Sequence, residues 1–195
     1  MSRTFYHAKK KEDFSAFDIF QHVPEKNREI KIQNSEEENL EELTKILLGA
    51  QRQALFLSGN LSFINLREKK KELFEVFERL AKRKIAMKVL CRVDFAGKEN
   101  VERVLSLNSR HGQSIVEIRH DIHPLRGFIV DGRVIRLKEV KEPTGKINEL
   151  NKRKFIFYNI SDKSWAEWLS RIFWKKFSNS MDASNRLEHL KQIKW

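Results

Sequence analysis

The stretch with the most chemical character runs from Glu117 to Arg133 and reads Glu-Ile-Arg-His-Asp-Ile-His-Pro-Leu-Arg-Gly-Phe-Ile-Val-Asp-Gly-Arg. It sets His120 and His123 just ahead of an apolar run that opens on Arg126 and closes on Asp131. An imidazole can act as nucleophile or general acid, a guanidinium can grip phosphate through two N–H bonds, and a carboxylate can orient an imidazole. His123, Arg126 and Asp131 are therefore the candidate catalytic set, and Arg126 with His120 the candidate phosphate contacts. Each residue also has a plain structural reading. Histidines beside strands are commonly hydrogen-bonded surface groups, and Asp-Gly after a strand is ordinary turn chemistry.

Clusters of bases are the second functional signal: Lys69-Lys70-Lys71, Lys82-Arg83-Lys84, Lys152-Arg153-Lys154 and Lys175-Lys176. The first has Glu68, Glu72, Glu75 and Glu78 close by, the pattern of a solvated helix face laced with ion pairs. Lys152, Arg153 and Lys154 have few acidic neighbours and are the preferred contacts for a polyanion. Across the chain 39 Lys and Arg stand against 27 Asp and Glu, a formal net charge of +12. Each base brought to a phosphate releases a counterion, so this excess points to a nucleic-acid partner, DNA or RNA; the alternative is charge that serves solubility alone. Trp165, Trp168 and Trp174 read as core before they read as a base-stacking platform.

Several chemistries lack their residues. There is no Gly-x4-Gly-Lys phosphate loop, no dinucleotide fingerprint and no Cys/His set at metal spacing, so neither cofactor nor metal is expected. The lone Cys91 ends the apolar run Ala86–Cys91 and reads as a small buried hydrophobe in a reducing, cytoplasmic setting. No run approaches about 18 apolar residues and the N-terminus lacks a signal-peptide stretch, so a soluble protein without a membrane partner is expected.

The elements that must position these groups follow from periodicity. Hydrophobic residues make up 40% of the chain, with 14 Phe and 4 Trp, enough for a substantial core; only 7 Gly and 3 Pro argue against a many-turned β-sandwich. Strand patterns fall at 29–33, 54–58, 86–93, 115–119, 125–130, 133–137 and 155–160. Helical patterns fall from 34 or 35 to about 53, from 67 to 84, around 101–107, from 162 to 180 and from 183 to 194. Gly112 is placed to stop the third of these, Asp131-Gly132 to turn a hairpin, and 138–154 to form an exposed loop. The pattern predicts an α/β fold, a mixed sheet of about six or seven strands flanked by helices. Residues 1–27 form an arm or packed helix carrying Lys9-Lys10-Lys11, Phe14, Phe17 and Phe20; 28–180 form the α/β domain; 181–195 form a C-terminal helix.

The segment Arg126-Gly127-Phe128-Ile129-Val130-Asp131-Gly132 resembles the hallmark of the phospholipase D superfamily, His-x-Lys-x4-Asp on a strand that turns at Asp-Gly. The helix, basic turn and strand of 77–91, and the strand and aromatic helix of 155–177, resemble the surroundings of that motif. The resemblance covers roughly 28–180, one half-unit of the two that active members need. It implies a phosphohistidine intermediate, lysines holding the phosphoryl oxygens, and a homodimer or tandem repeat that supplies the second histidine. The departures are specific. Arg126 takes the lysine place, Pro124 stands where the nucleophile belongs, and His123 is one residue too far from Arg126. After Asp131-Gly132 the run Arg133-Val134-Ile135-Arg136-Leu137-Lys138 replaces the small residues that let phosphate reach the backbone. A similar degenerate module serves as the effector domain of TrmB-type regulators, which bind without cleaving. The resulting expectation is a non-catalytic phospholipase D-like module for a phosphate-bearing ligand, nucleic acid first. A dimeric phosphodiesterase or nuclease using His123, Arg126 and Asp131 is the alternative, and a protein-interaction domain the third reading.

Overall fold

In the computed structural model of the chain, which describes residues 15–68, 71–112, 114–143, 145–146 and 150–192, the apolar runs become strands and the 3.6-residue patterns become helices. The N-terminal bases Lys9 to Lys11 and Phe14 lie outside the described residues, as do Lys69 and Lys70. In chain order the elements are α1 (Phe17–Phe20), β1 (Arg28–Gln33), α2 (Leu40–Leu48), β2 (Gln53–Leu57), β3 (Arg67–Glu68), β4 (Lys71–Glu72), α3 (Leu73–Lys82) and β5 (Ala86–Cys91). Then follow α4 (Lys98–His111), β6 (Val116–His120), β7 (Gly127–Val130), β8 (Val134–Lys141), β9 (Lys154–Ile160), α5 (Lys163–Asn179), β10 (Met181–Asp182) and α6 (Ala183–Gln192).

Eight strands form one sheet in the order β1-β9-β8-β7-β2-β5-β6-β10, with β3 and β4 a separate ribbon. This is the mixed α/β sheet that the sequence predicts, with the two-residue β10 added beside β6. β2, β5 and β6 run parallel, and the other neighbours pair antiparallel. β7, which follows Arg126, is central. Alternate residues then build two cores. Phe56, Phe128, Met87 and Val89 face α2, α3, α4 and α6, while Leu55, Leu57, Leu90, Ile129 and Leu137 face α1 and α5. Cys91 is fully buried in the first core, and that burial pushes its thiol up to about 12. Among the described residues no helix is long and apolar enough to cross a membrane.

Three boundaries differ from the periodicity. The helix expected from 67 begins only at Leu73, where apolar spacing begins; before it Arg67 pairs with Glu72, and Glu68 with Lys71, across the β3–β4 ribbon. α2 stops at Leu48 rather than about 53, and the freed residues 51–53 turn to meet Asp131. β8 continues to Lys141, because pairing with β9 extends through Lys141↔Lys154, so the exposed loop is shorter than expected. The stop at Gly112 (φ +62) and the Asp131-Gly132 hairpin (φ +50 and +64) are as the sequence suggests.

The pairing directions give the sheet two distinct ends. The last residues of β2, β5, β6 and β8, and the first of β7 and β9, share one end, so Arg126 and Lys152 to Lys154 lie on the same side. The first residues of β2, β5 and β6, and the β7–β8 turn, form the other.

Candidate phosphate-binding site

Arg126 stands at the mouth of β7, and glycines on both sides let it lie close to the backbone. Gly127 has φ +149, and a Cβ there would come within 2.0 Å of the Arg136 carbonyl, so only glycine lets β7 approach β8. A Cβ on Gly59 would sit 3.1 Å from Arg126 Nε, so the guanidinium rests against the Ser58-Gly59-Asn60 turn that ends β2. Arg126 Nη1 donates to the carbonyls of His123 and Leu125, both at 2.8 Å. Those acceptors are neutral, and among the described residues no carboxylate pairs with this guanidinium. Burial, reinforced by the positive charge of Arg92, holds its pKa below the ordinary arginine value. A half-buried cation without a counter-ion is an attractive place for an anion.

The guanidinium opens on a cavity of about 230 Å³ whose walls include Phe63, Phe128 and Phe157, with Arg136, Lys138 and Glu36. Arg136 is only 2% exposed. Its Nη1 donates to Asn159 Oδ1 at 2.9 Å and lies 3.2 Å from Glu42 Oε2, and its guanidinium carbon sits 4.8 Å from the Phe157 ring centre. Its Nη2 is buried without a partner. Burial lowers the Arg136 pKa, with Glu42 acting in the opposite direction. Lys138 is ion-paired with Glu36. The cavity thus combines aromatic walls, two paired bases and one uncompensated arginine, a combination suited to a phosphate joined to a flat or apolar group.

The residues singled out in the sequence do not gather here. His123 is buried, with Nε2 3.1 Å from the Leu90 carbonyl, so Nε2 carries the proton in that contact and the bare Nδ1 is left buried without a partner. Its ring lines a different cavity, with Trp168, Ile172 and Lys176 on the α5 side. Burial lowers its pKa, and the Leu90 contact offsets this only in part. Asp131 lies at the far end of β7, where Oδ1 accepts the N–H groups of Arg52 and Gln53 at 2.9 Å each and Oδ2 that of Gln51 at 2.8 Å. Burial raises its pKa, but those bonds outweigh it and the carboxyl sits below its usual value. His120 Nδ1 accepts the Val93 N–H at 2.9 Å, and burial, then Arg186, lowers its pKa.

Lys152, Arg153 and Lys154 do lie at the cavity end of the sheet. Arg153 pairs with Glu142 at 2.9 Å, and Lys154 donates to Asn34 at 2.6 Å. Sequence reasoning missed Arg136, Lys138 and Gly59. A signal for the first two existed: along β8 they alternate with the buried Ile135 and Leu137, so both bases face one side of an interior strand. Among the described residues no group of three His, Cys, Asp or Glu side chains is placed to hold a metal.

No protein-family model matches the sequence, and no curated protein matches it significantly. Solved structures do resemble it. Nuc, a phospholipase D family member from Salmonella typhimurium, superposes with a TM-score of 0.55 at 13% identity, covering 80% of this chain and 97% of that one. Phosphatidylserine synthase of Haemophilus influenzae gives 0.55 at 15% identity, over 85% of this chain and 42% of the other. TrmBL2, an archaeal chromatin protein whose structure shows a mode of DNA binding, gives 0.52 at 12% identity, over 85% and 57%. The chain has the phospholipase D-like fold.

Proposed function

We propose that this chain is a non-catalytic phospholipase D-like module that binds a phosphate-bearing ligand, in the first place nucleic acid, through the cavity at Arg126. The observation that carries this reading is the half-buried Arg126 guanidinium, whose hydrogen-bond acceptors are two carbonyls and which has no carboxylate partner among the described residues. A bound phosphate would supply the missing negative charge and accept charge-assisted bonds, while Phe63, Phe128 and Phe157 give the cavity an aromatic lining. The net charge of +12 and the end-on placement of Lys152, Arg153 and Lys154 favour a polyanion over a lone phosphate. TrmBL2, 57% of whose length the match covers, is described as binding DNA. Against turnover stands the imidazole of His123, which lines a separate cavity from the one that holds Arg126.

An anisotropy titration with a short single-stranded oligonucleotide tests the reading. Binding is expected near 50 mM salt and should fall steeply by about 200 mM. Arg126→Ala should weaken it by about tenfold or more, the loss expected of charge-assisted hydrogen bonds, in a protein that circular dichroism shows still folded at the assay temperature. Bis(p-nitrophenyl) phosphate and single-stranded DNA should stay intact with or without added metal. No binding near 50 mM salt would end the reading, as would turnover that His123→Ala abolishes in a folded protein.

A further inference from the structure

The bases at the opposite end of the sheet have no use in the cavity. There Arg52 immediately precedes β2, Lys82 ends α3, Lys84 leads into β5, and Arg133 closes the β7–β8 turn; all four are exposed. Their neighbourhood is held together by backbone bonds: the Ala86 N–H donates to the Arg52 carbonyl at 3.0 Å, and the Asp131 N–H to the Gln53 carbonyl at 3.0 Å. β8, β7, β2 and β5 are successive in the sheet, so Arg133, Arg52 and Lys84 are spread over about 10–15 Å, two to three strand spacings.

Charge compensation differs sharply between the two ends. At the cavity end of the sheet, Arg126 apart, Arg92 pairs with Asp94, Arg136 with Glu42, Lys138 with Glu36, Arg153 with Glu142 and Lys176 with Asp121. At the opposite end none of Arg52, Lys82, Lys84 and Arg133 has a carboxylate partner within ion-pair distance among the described residues. Asp131 feels the charge of Arg52, but its oxygens are occupied by the N–H groups of residues 51–53. Glu78 is taken by Arg110 at 2.8 Å.

Helix dipoles explain part of this charge, because α2 and α3 end here and bases are favoured in last turns. Lys82 fits that account. Arg52, Lys84 and Arg133 lie outside the helices and do not. Lys84 even holds φ +59, where glycine would be unstrained. The negative ends of the helices would repel an anion, but Arg83 covers that of α2 by donating to the Leu48 and Ala50 carbonyls at 2.6 Å each. The large exposed apolar side chains, among them Ile32, Ile122 and Trp168, belong to other parts of the surface, so the patch lacks what would insert into a bilayer.

We infer that Arg52, Lys82, Lys84 and Arg133 form a second binding surface, which takes the phosphate backbone of double-stranded nucleic acid at the end of the sheet remote from Arg126. This rests on the proposed function only for the class of polyanion. A cavity of about 230 Å³ suits one phosphate-bearing group, whereas a row of uncompensated bases suits a duplex backbone.

The test is a 25-base-pair duplex titrated at several salt concentrations with the full chain, with Arg52→Gln/Lys84→Gly/Arg133→Gln, and with Arg126→Ala. The triple variant removes exposed charge and relieves the left-handed lysine, so its melting temperature should match the wild type. Expected is a loss of about tenfold or more in duplex affinity and a salt slope flatter by about 2 to 3, one phosphate contact per base removed. Arg126→Ala should leave that slope nearly unchanged. Wild-type slope and affinity in the triple variant would overturn the second surface while leaving the cavity reading intact. Loss in the triple variant, with the single-strand titration insensitive to Arg126→Ala, would uphold the surface and remove the cavity reading. A wild-type chain that binds no duplex overturns the inference, and so does a triple variant impaired only toward phosphatidylserine vesicles.

Discussion

Replacing Asp131 separates a structural carboxylate from a catalytic one. Its two oxygens accept three backbone N–H groups, those of Arg52 and Gln53 on Oδ1 and that of Gln51 on Oδ2, and so fix the entry to β2. Asp131→Ala removes all three bonds; at about 1 kcal/mol each, discounted for partial exposure, this costs about 2 kcal/mol. Asp131 also holds φ +50, which alanine tolerates less well, adding roughly 1 kcal/mol. In a chain of this size about 3 kcal/mol lowers the melting temperature by roughly 6–12 °C. Asp131→Asn keeps one oxygen for Arg52 and Gln53 but turns an amide N–H₂ toward Gln51, so it should cost about 1 kcal/mol, or roughly 2–4 °C.

The same bonds set the pH dependence. The folded carboxyl has a lowered pKa, so its contribution is complete above the unfolded value near 4 and disappears as pH falls through the lower folded value. The gap between wild type and Asp131→Asn should therefore be full at neutral pH and close in acid. Thermal melts followed by circular dichroism across that range give the answer. An alanine variant melting within about 1 °C of wild type, or a gap that persists in strong acid, would refute the account of Asp131 as the clamp of residues 51–53.

Gly127→Ala forces a Cβ to 2.0 Å from the Arg136 carbonyl, so it should cost about 3 kcal/mol or more and part β7 from β8. A wild-type denaturation midpoint would contradict that close approach. His123 has a lowered folded pKa, so the unfolded chain takes up its proton first; stability should be full above about pH 6.5 and fall as pH drops toward the folded value. His123→Gln should flatten that slope in urea titrations, and an unchanged slope would show that the imidazole is not held neutral.

Much of the fold was legible because the burial pattern follows directly from residue spacing. β2, β5 and β7 are mostly apolar runs between turn residues, and α3 and α5 carry apolar faces that the sheet covers. Asp131-Gly132 announced its hairpin, since both residues tolerate positive φ. Less was legible where contacts between distant segments decide the outcome. α2 ends early because residues 51–53 are bound by Asp131, some 80 positions away, and the length of β8 depends on β9. The candidate site fared similarly. Arg126 was found from its own motif, whereas Gly59 and Arg136 join it only through the pairing of β7 with β2 and β8.

The separation of His123 from Arg126 has a simple geometric origin. Residues 121–126 lie between β6 and β7 outside any strand, and Arg126 Nη1 folds back onto the His123 carbonyl. Pro124, two places before Arg126, lines the same cavity as His123. His123, one place further, joins Trp168 and Ile172 against α5, while Arg126 joins Phe128 and Arg136 against the other layer. Moving it back would require more than a rotamer change, because its Nε2 is held by the Leu90 carbonyl and its carbonyl by Arg126 itself. Arg126 therefore also anchors the backbone of His123, so a ligand that pulled the guanidinium forward would weaken that anchor. In-line attack needs a nucleophile about 3–3.5 Å away, and the segment is built to hold this one on the other face of the sheet.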